Sequence, residues 1–197
     1  MKVLMRAAVL CLAINCLALG VRTEIALAKA SAAASLDQIK IAKIALWQEL
    51  MLKKISFQNE LHGIAIKQWP ELTTSFTNYR DYQLNLIHRK ILAFNYRNKE
   101  YLIDEKTATG LNEFLNFNWD IKEANTYMRQ ISGFKETQIK IVTLKNKLDQ
   151  DPSFAMLTDA FTKLAYNAKY ITLMKGMARD LEKAQIILSN FDKNAAV

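Results

Sequence analysis

Cysteine, histidine, glycine and proline are all scarce in this chain of 197 residues, and each scarcity removes a class of chemistry. Its two cysteines, Cys11 and Cys16, both fall within "CLAINCLALG" at residues 11–20, and none follows. The remaining sequence therefore has no disulfide framework, no thiolate zinc site and no cysteine for covalent haem attachment. The two histidines are His62 and His88, and neither has a histidine, cysteine or carboxylate three or four residues away. No pair at metal-ligand spacing results, and no metal or cofactor is expected. Beyond residue 20 the only glycines and prolines are Gly63, Gly110, Gly133, Gly176, Pro70 and Pro152. So few turn-formers argue against a sandwich or barrel of many short strands.

The apolar run Ala7–Val21 is 15 residues long, broken by Asn15 and preceded by Lys2 and Arg6. At about 1.5 Å rise per residue it falls short of the roughly 30 Å hydrocarbon layer. Its length and basic flank fit a secretory signal peptide, expected over 1–28. The small-residue sequence "ALA" at 26–28 puts Lys29 first in the mature chain, with "AKA" at 28–30 and "ALG" at 18–20 as other cut positions. Lipid attachment is disfavoured because Leu10 and Asn15, rather than small residues, precede the cysteines. Residues 29–35 read as a flexible leader, and 36–197 as one domain. The expected location is periplasmic or secreted; the alternative is an uncleaved N-terminal anchor.

Charge gives a weaker signal. Lys and Arg total 27 against 19 Asp and Glu, for a net charge of +8. The cations are mostly lysine, which is strongly hydrated, rather than the arginine that forks onto phosphate. With an export signal in front, nucleic acid is not an expected partner.

What the sequence does have is helical periodicity. Pro70, Gly110 and Pro152 divide the domain into segments 36–68, 70–107, 110–149 and 152–194. Each carries apolar residues at three- and four-residue steps; in the last, Leu157, Phe161, Leu164, Ala168, Ile171 and Met174 follow one another in this rhythm. Such stripes predict amphipathic helices that bury one face. Short breaks favour antiparallel neighbours. The expected fold is thus all-α, an elongated antiparallel bundle of four long helices. The apolar phase slips at Gly133–Phe134, so the third helix is expected to kink or split there.

No catalytic set emerges. Asp149, Asp151 and Ser153 match the first ligands of a calcium loop, but Phe154 and Ala160 stand where glycine and glutamate are required. Asp120 and Glu123 sit one turn apart and read as a solvated face rather than an acid–base pair. Met174 and Met177 belong to the apolar stripe of the last segment, where methionine fills core. Nucleophile elbows, phosphate loops and dinucleotide fingerprints are absent from the sequence. The chain is not expected to be an enzyme.

Two sets of residues remain as candidate contacts. In "NYRDYQLNLIHRKILAFNYRNKEY" (78–101), Lys90 and Arg97 share a helix face, and Arg89 adjoins them. Together they are the candidate contact for lipid headgroups or another envelope polyanion. Trp119 and Trp47 lie off the apolar stripes of their helices and are the candidate protein contacts. The expected function is an exported accessory or structural component of a cell envelope, of the kind found in secretion-type assemblies. It would bind another envelope protein or a second copy of itself. Contact with a membrane surface, or a small-molecule or cofactor pocket inside the bundle, are the alternatives.

Overall fold

The computed structural model describes residues 36–99, 114–115, 117 and 119–194. The expected signal peptide, leader and Gly110 break lie outside these residues. The described chain is all-helical, with no strand. Its α-helices are α1 (Leu36–Gln68), α2 (Thr73–Lys99), α3 (Ile121–Gln130), α4 (Phe134–Asp149), α5 (Phe154–Leu164) and α6 (Ala168–Asn194).

Helix α1 is 33 residues long, about 50 Å at the usual rise. It stops where Pro70 forces the preceding residue out of helical geometry: Trp69 has φ −133° and ψ 74°. Pro70 then opens a 3-10 turn, Pro70–Leu72, and the Thr73 hydroxyl donates to the Pro70 carbonyl at 2.7 Å. The chain reverses within this turn. Gln48 meets Asn95 near one end of the resulting hairpin and His62 meets Thr77 near the other, so α1 and α2 are antiparallel.

The third segment does divide at Gly133. That residue has φ +83°, a left-handed conformation that a side chain resists, and Phe134 behind it is 1% exposed. The fourth segment divides as well, which the apolar spacing does not predict. Asn167 is the reason. Its Oδ1 accepts from the backbone N–H of Lys169 at 2.9 Å and of Tyr170 at 3.1 Å, giving α6 a side-chain cap. At the head of α5 the Ser153 N–H donates to Asp151 Oδ1 at 2.8 Å, so the aspartate serves a helix start rather than calcium.

Helix α4 packs on α2, and α6 packs on α1. The central hairpin therefore carries one long helix on each member. The core has two main parts along its length. One gathers Trp47, Leu50, Met51, Phe94, Ala184 and Leu188, with Phe114 and Leu115 added from the segment before α3. The other gathers Leu61, Ala65, Leu72, Phe76, Leu148, Leu157 and Leu164 at the turn end. A third cluster of Ala93, Tyr127 and Phe134 fastens α3 and α4 to α2. Each large apolar side chain fully buried here stabilises the fold by about 1.5–3 kcal/mol.

Candidate functional site

The residues expected to meet a polyanion are largely engaged inside the molecule. The Arg97 guanidinium lies 2.8 Å from Glu123 of α3 and 5.0 Å from the Phe117 ring. Arg89 donates to Gln138 of α4 and sits 5.3 Å from the ring of Trp119. Both cations thus join α2 to the elements packed on it. Burial lowers the Arg89 pKa, the Tyr82 phenol opposing it. Lys90 differs: it is half-buried and has no carboxylate partner among the described residues. Burial and then the Arg89 charge lower its pKa; burial and then Lys90 do the same to Lys54 of α1.

The two tryptophans part company. Trp47 is fully buried, so it is a core residue and not a surface for a partner. Helix α1 is flanked by α2 and α6, and this double packing buries positions beyond its main stripe. Trp119 is half-buried, with its ring centroid 5.8 Å from Phe117, 5.9 Å from Tyr127 and 6.0 Å from Phe134. It closes an aromatic cluster at the junction of α2, α3 and α4. Within that cluster Tyr127 is 3% exposed and its phenol pKa is pushed up to about 12, chiefly by burial.

The carboxylates Asp120 and Glu123 also find a role. Asp120 Oδ1 accepts from the Glu123 N–H at 2.8 Å, and Glu123 Oε2 accepts from the Asp120 N–H at 3.0 Å. This reciprocal capping box starts α3. The spacing D-x-x-E was its sequence signal. No group of three or more potential metal ligands occurs among the described residues, and none of their helices is long and apolar enough to cross a membrane.

A concavity lies elsewhere, between α1 and α6. Lys53 of α1 lies 3.1 Å from Asp180 of α6, and Asn167 Nδ2 donates to Gln68 Oε1 at 2.7 Å. These polar ties hold the two antiparallel helices near either end of an open groove of about 1180 Å³. Half-buried Phe57, Ile64 and Leu173 line it and pack on the core behind, forming its apolar floor together with Met177. Exposed Lys67, Lys169 and Arg179 stand on its rim. Gly63 and Gly176 contribute to opposite walls, and a Cβ on either would meet nothing within 4 Å. The space continues into the groove instead of ending at a packed neighbour.

The ties differ in strength. Burial works against the Lys53 charge, but hydrogen bonds to Glu49 and Asp180 outweigh it and raise its pKa. Lys53 is 3.0 Å from Glu49, so one ammonium serves a carboxylate on each helix. The groove offers apolar surface, space and a positive rim, which suit binding. Compared with protein-family models, curated proteins and solved structures, the chain matches none.

Proposed function

We propose that this chain is an exported helical protein of the cell envelope that works by binding another protein, as an accessory or structural component and not as an enzyme. On this reading residues 1–28 are a signal peptide removed during export. The mature helices form an elongated antiparallel bundle built on four long apolar stripes. The observation that carries the reading is the α1–α6 groove, where half-buried Phe57, Ile64 and Leu173 face outward between polar ties. Apolar surface left in a defined groove supports recognition of a partner's side chains.

The test is recovery of a partner from intact cells. A tagged chain, cross-linked in the envelope fraction, is expected to yield one specific protein, and its N-terminus is expected at Lys29 or Ser31. Recovery of background proteins alone, or a chain beginning at Met1 in the cytoplasmic fraction, contradicts the reading. Lys90 favours a second reading, contact with an envelope polyanion. Its charge acts on Lys54 across the α1–α2 hairpin and helps to lower the pKa there, so the two ammonium groups share a field of one sign. Arg89 and Arg97 support it less, because both have internal partners.

A further inference from the structure

We infer that the α1–α6 groove receives an acidic amphipathic helix of the partner protein, about four turns long; this rests on the protein-binding reading above. Length, shape and charge each contribute to the assignment.

The ties at Lys53–Asp180 and Gln68–Asn167 delimit a stretch of α1 that runs about 22 Å at the usual rise. A helix of roughly 15 residues spans that distance. Phe57, Ile64, Leu173 and Met177 supply an apolar floor for its apolar stripe. Gly63 and Gly176 remove side chains where a third helix backbone must come close. An incoming helix thus meets low walls on both sides.

Charge selects the partner's sign. The acidic residues lining the groove are Glu60 and Asp180, and both are engaged: Glu60 accepts from the Ser56 hydroxyl at 2.9 Å, and Asp180 pairs with Lys53. Lys67, Lys169 and Arg179 have no carboxylate partner among the described residues. Glutamates or aspartates flanking the apolar stripe of the incoming helix would pair with these rim cations. Lysines there would be repelled.

Two fluorescein-labelled peptides of about 16 residues test this. Both are lactam-stabilised helices with the same leucine stripe; one carries glutamate flanks and the other lysine flanks. Anisotropy with the purified protein is expected to show binding of the acidic peptide alone. Gly176→Leu, and independently Gly63→Leu on the other wall, are expected to weaken it about tenfold or more while the thermal midpoint holds. The double charge reversal Lys67→Glu/Lys169→Glu is expected to weaken the acidic peptide and admit the basic one.

Failure of both peptides to bind overturns the inference. So does equal binding of both, or acidic binding indifferent to both leucine variants. Co-sedimentation with phosphatidylglycerol vesicles that Gly176→Leu abolishes, without peptide binding, assigns the groove to lipid and also overturns it. The broader reading is judged separately, by cross-linking in the envelope from Ile139, which is exposed on α4 away from the groove. A partner captured there while the peptides fail removes the groove assignment and leaves the protein-binding reading standing.

Discussion

The indole of Trp47 lies flat against the ring of Phe94, with centroids 3.8 Å apart and planes 6° from parallel. The pair joins the first half of α1 to the last part of α2. Phe94 meets Phe117 edge-on at 5.7 Å, and Phe117 leads to Trp119, so ring contacts run from the α1–α2 seam to α3 and α4. The Trp47 indole N–H is buried without a hydrogen-bond partner. Its value therefore lies in packing.

Substitution at Trp47 should separate volume from hydrogen bonding. Trp47→Ala is expected to cost about 3–5 kcal/mol in urea denaturation, as for other large aromatic deletions in cores. Trp47→Phe keeps most of the stack and removes a buried orphan donor, so its cost should stay near 1 kcal/mol. Equal losses in the two variants would contradict this account.

Glu123 performs two tasks at once, capping α3 and pairing with Arg97. Glu123→Ala should cost about 1–2 kcal/mol, near the loss of a helix cap with an added ion pair. Arg97→Met should cost less, because it leaves the capping box intact. Denaturation midpoints in low and high salt distinguish the contributions: added salt should weaken the ion-pair share.

Stability should fall on mild acidification because of the histidines. His62 Nε2 lies 3.0 Å from Thr77 Oγ1, and its Nδ1 lies 3.4 Å from the Arg80 guanidinium, which can only donate. The imidazole is held neutral, with its proton on Nε2 toward Thr77. Burial and then Arg80 lower the His62 pKa, Asp81 opposing them. The pKa of His88, an exposed side chain, is lowered by the helix surface that covers part of its ring and then by Lys140. A folded-state pKa below the unfolded value of about 6.5 means the unfolded chain takes up the proton first. Stability from these groups is full above that pH and is lost as pH falls toward the folded values. Urea midpoints at pH 7.5 and 5.5 should therefore differ, and His62→Gln/His88→Gln should shrink the difference. An unchanged difference in the double variant would refute the assignment.

Gly176→Ala should stabilise the protein by up to about 1 kcal/mol, since alanine is the better helix former. The added methyl meets nothing within 4 Å. Calorimetry is expected to show a higher midpoint; a lower one would mean that the groove wall is closed by something packed against it.

Much of the fold was legible in the sequence because its signals are local. The stripes over α1, α2 and α4 follow from spacing, and Pro70, Gly133 and Pro152 mark three of the breaks. In α6 the expected stripe residues Ile171 and Met174 are exposed, and Leu173 packs on the core instead. The break at Asn167 was hidden because Leu164, Ala168 and Ile171 continue the apolar rhythm across it. A single asparagine gives a weak signal until its side chain is seen to cap two backbone N–H groups.

The candidate site was less legible, for a different reason. Trp47 lies off the main stripe of α1, yet α2 and α6 pack on α1 together and bury it. Arg89 and Arg97 read as solvent-facing cations until Gln138, Trp119, Glu123 and Phe117 are brought to them from distant parts of the chain. The groove depends on Gly63 and Gly176 standing on opposite walls, a relation between two helices that neither helix's own pattern contains.

The claim at the centre of this account is that the α1–α6 groove is where another protein binds. Its most direct measurement is a photo-cross-linker placed at Thr172 on the groove lining, compared with one at Ile186, exposed on the same helix outside it. In intact cells Thr172 should capture one defined partner protein, Ile186 should not, and Gly176→Leu should abolish the Thr172 product. Equal capture from both positions, or capture at Thr172 that persists in Gly176→Leu, would contradict the account.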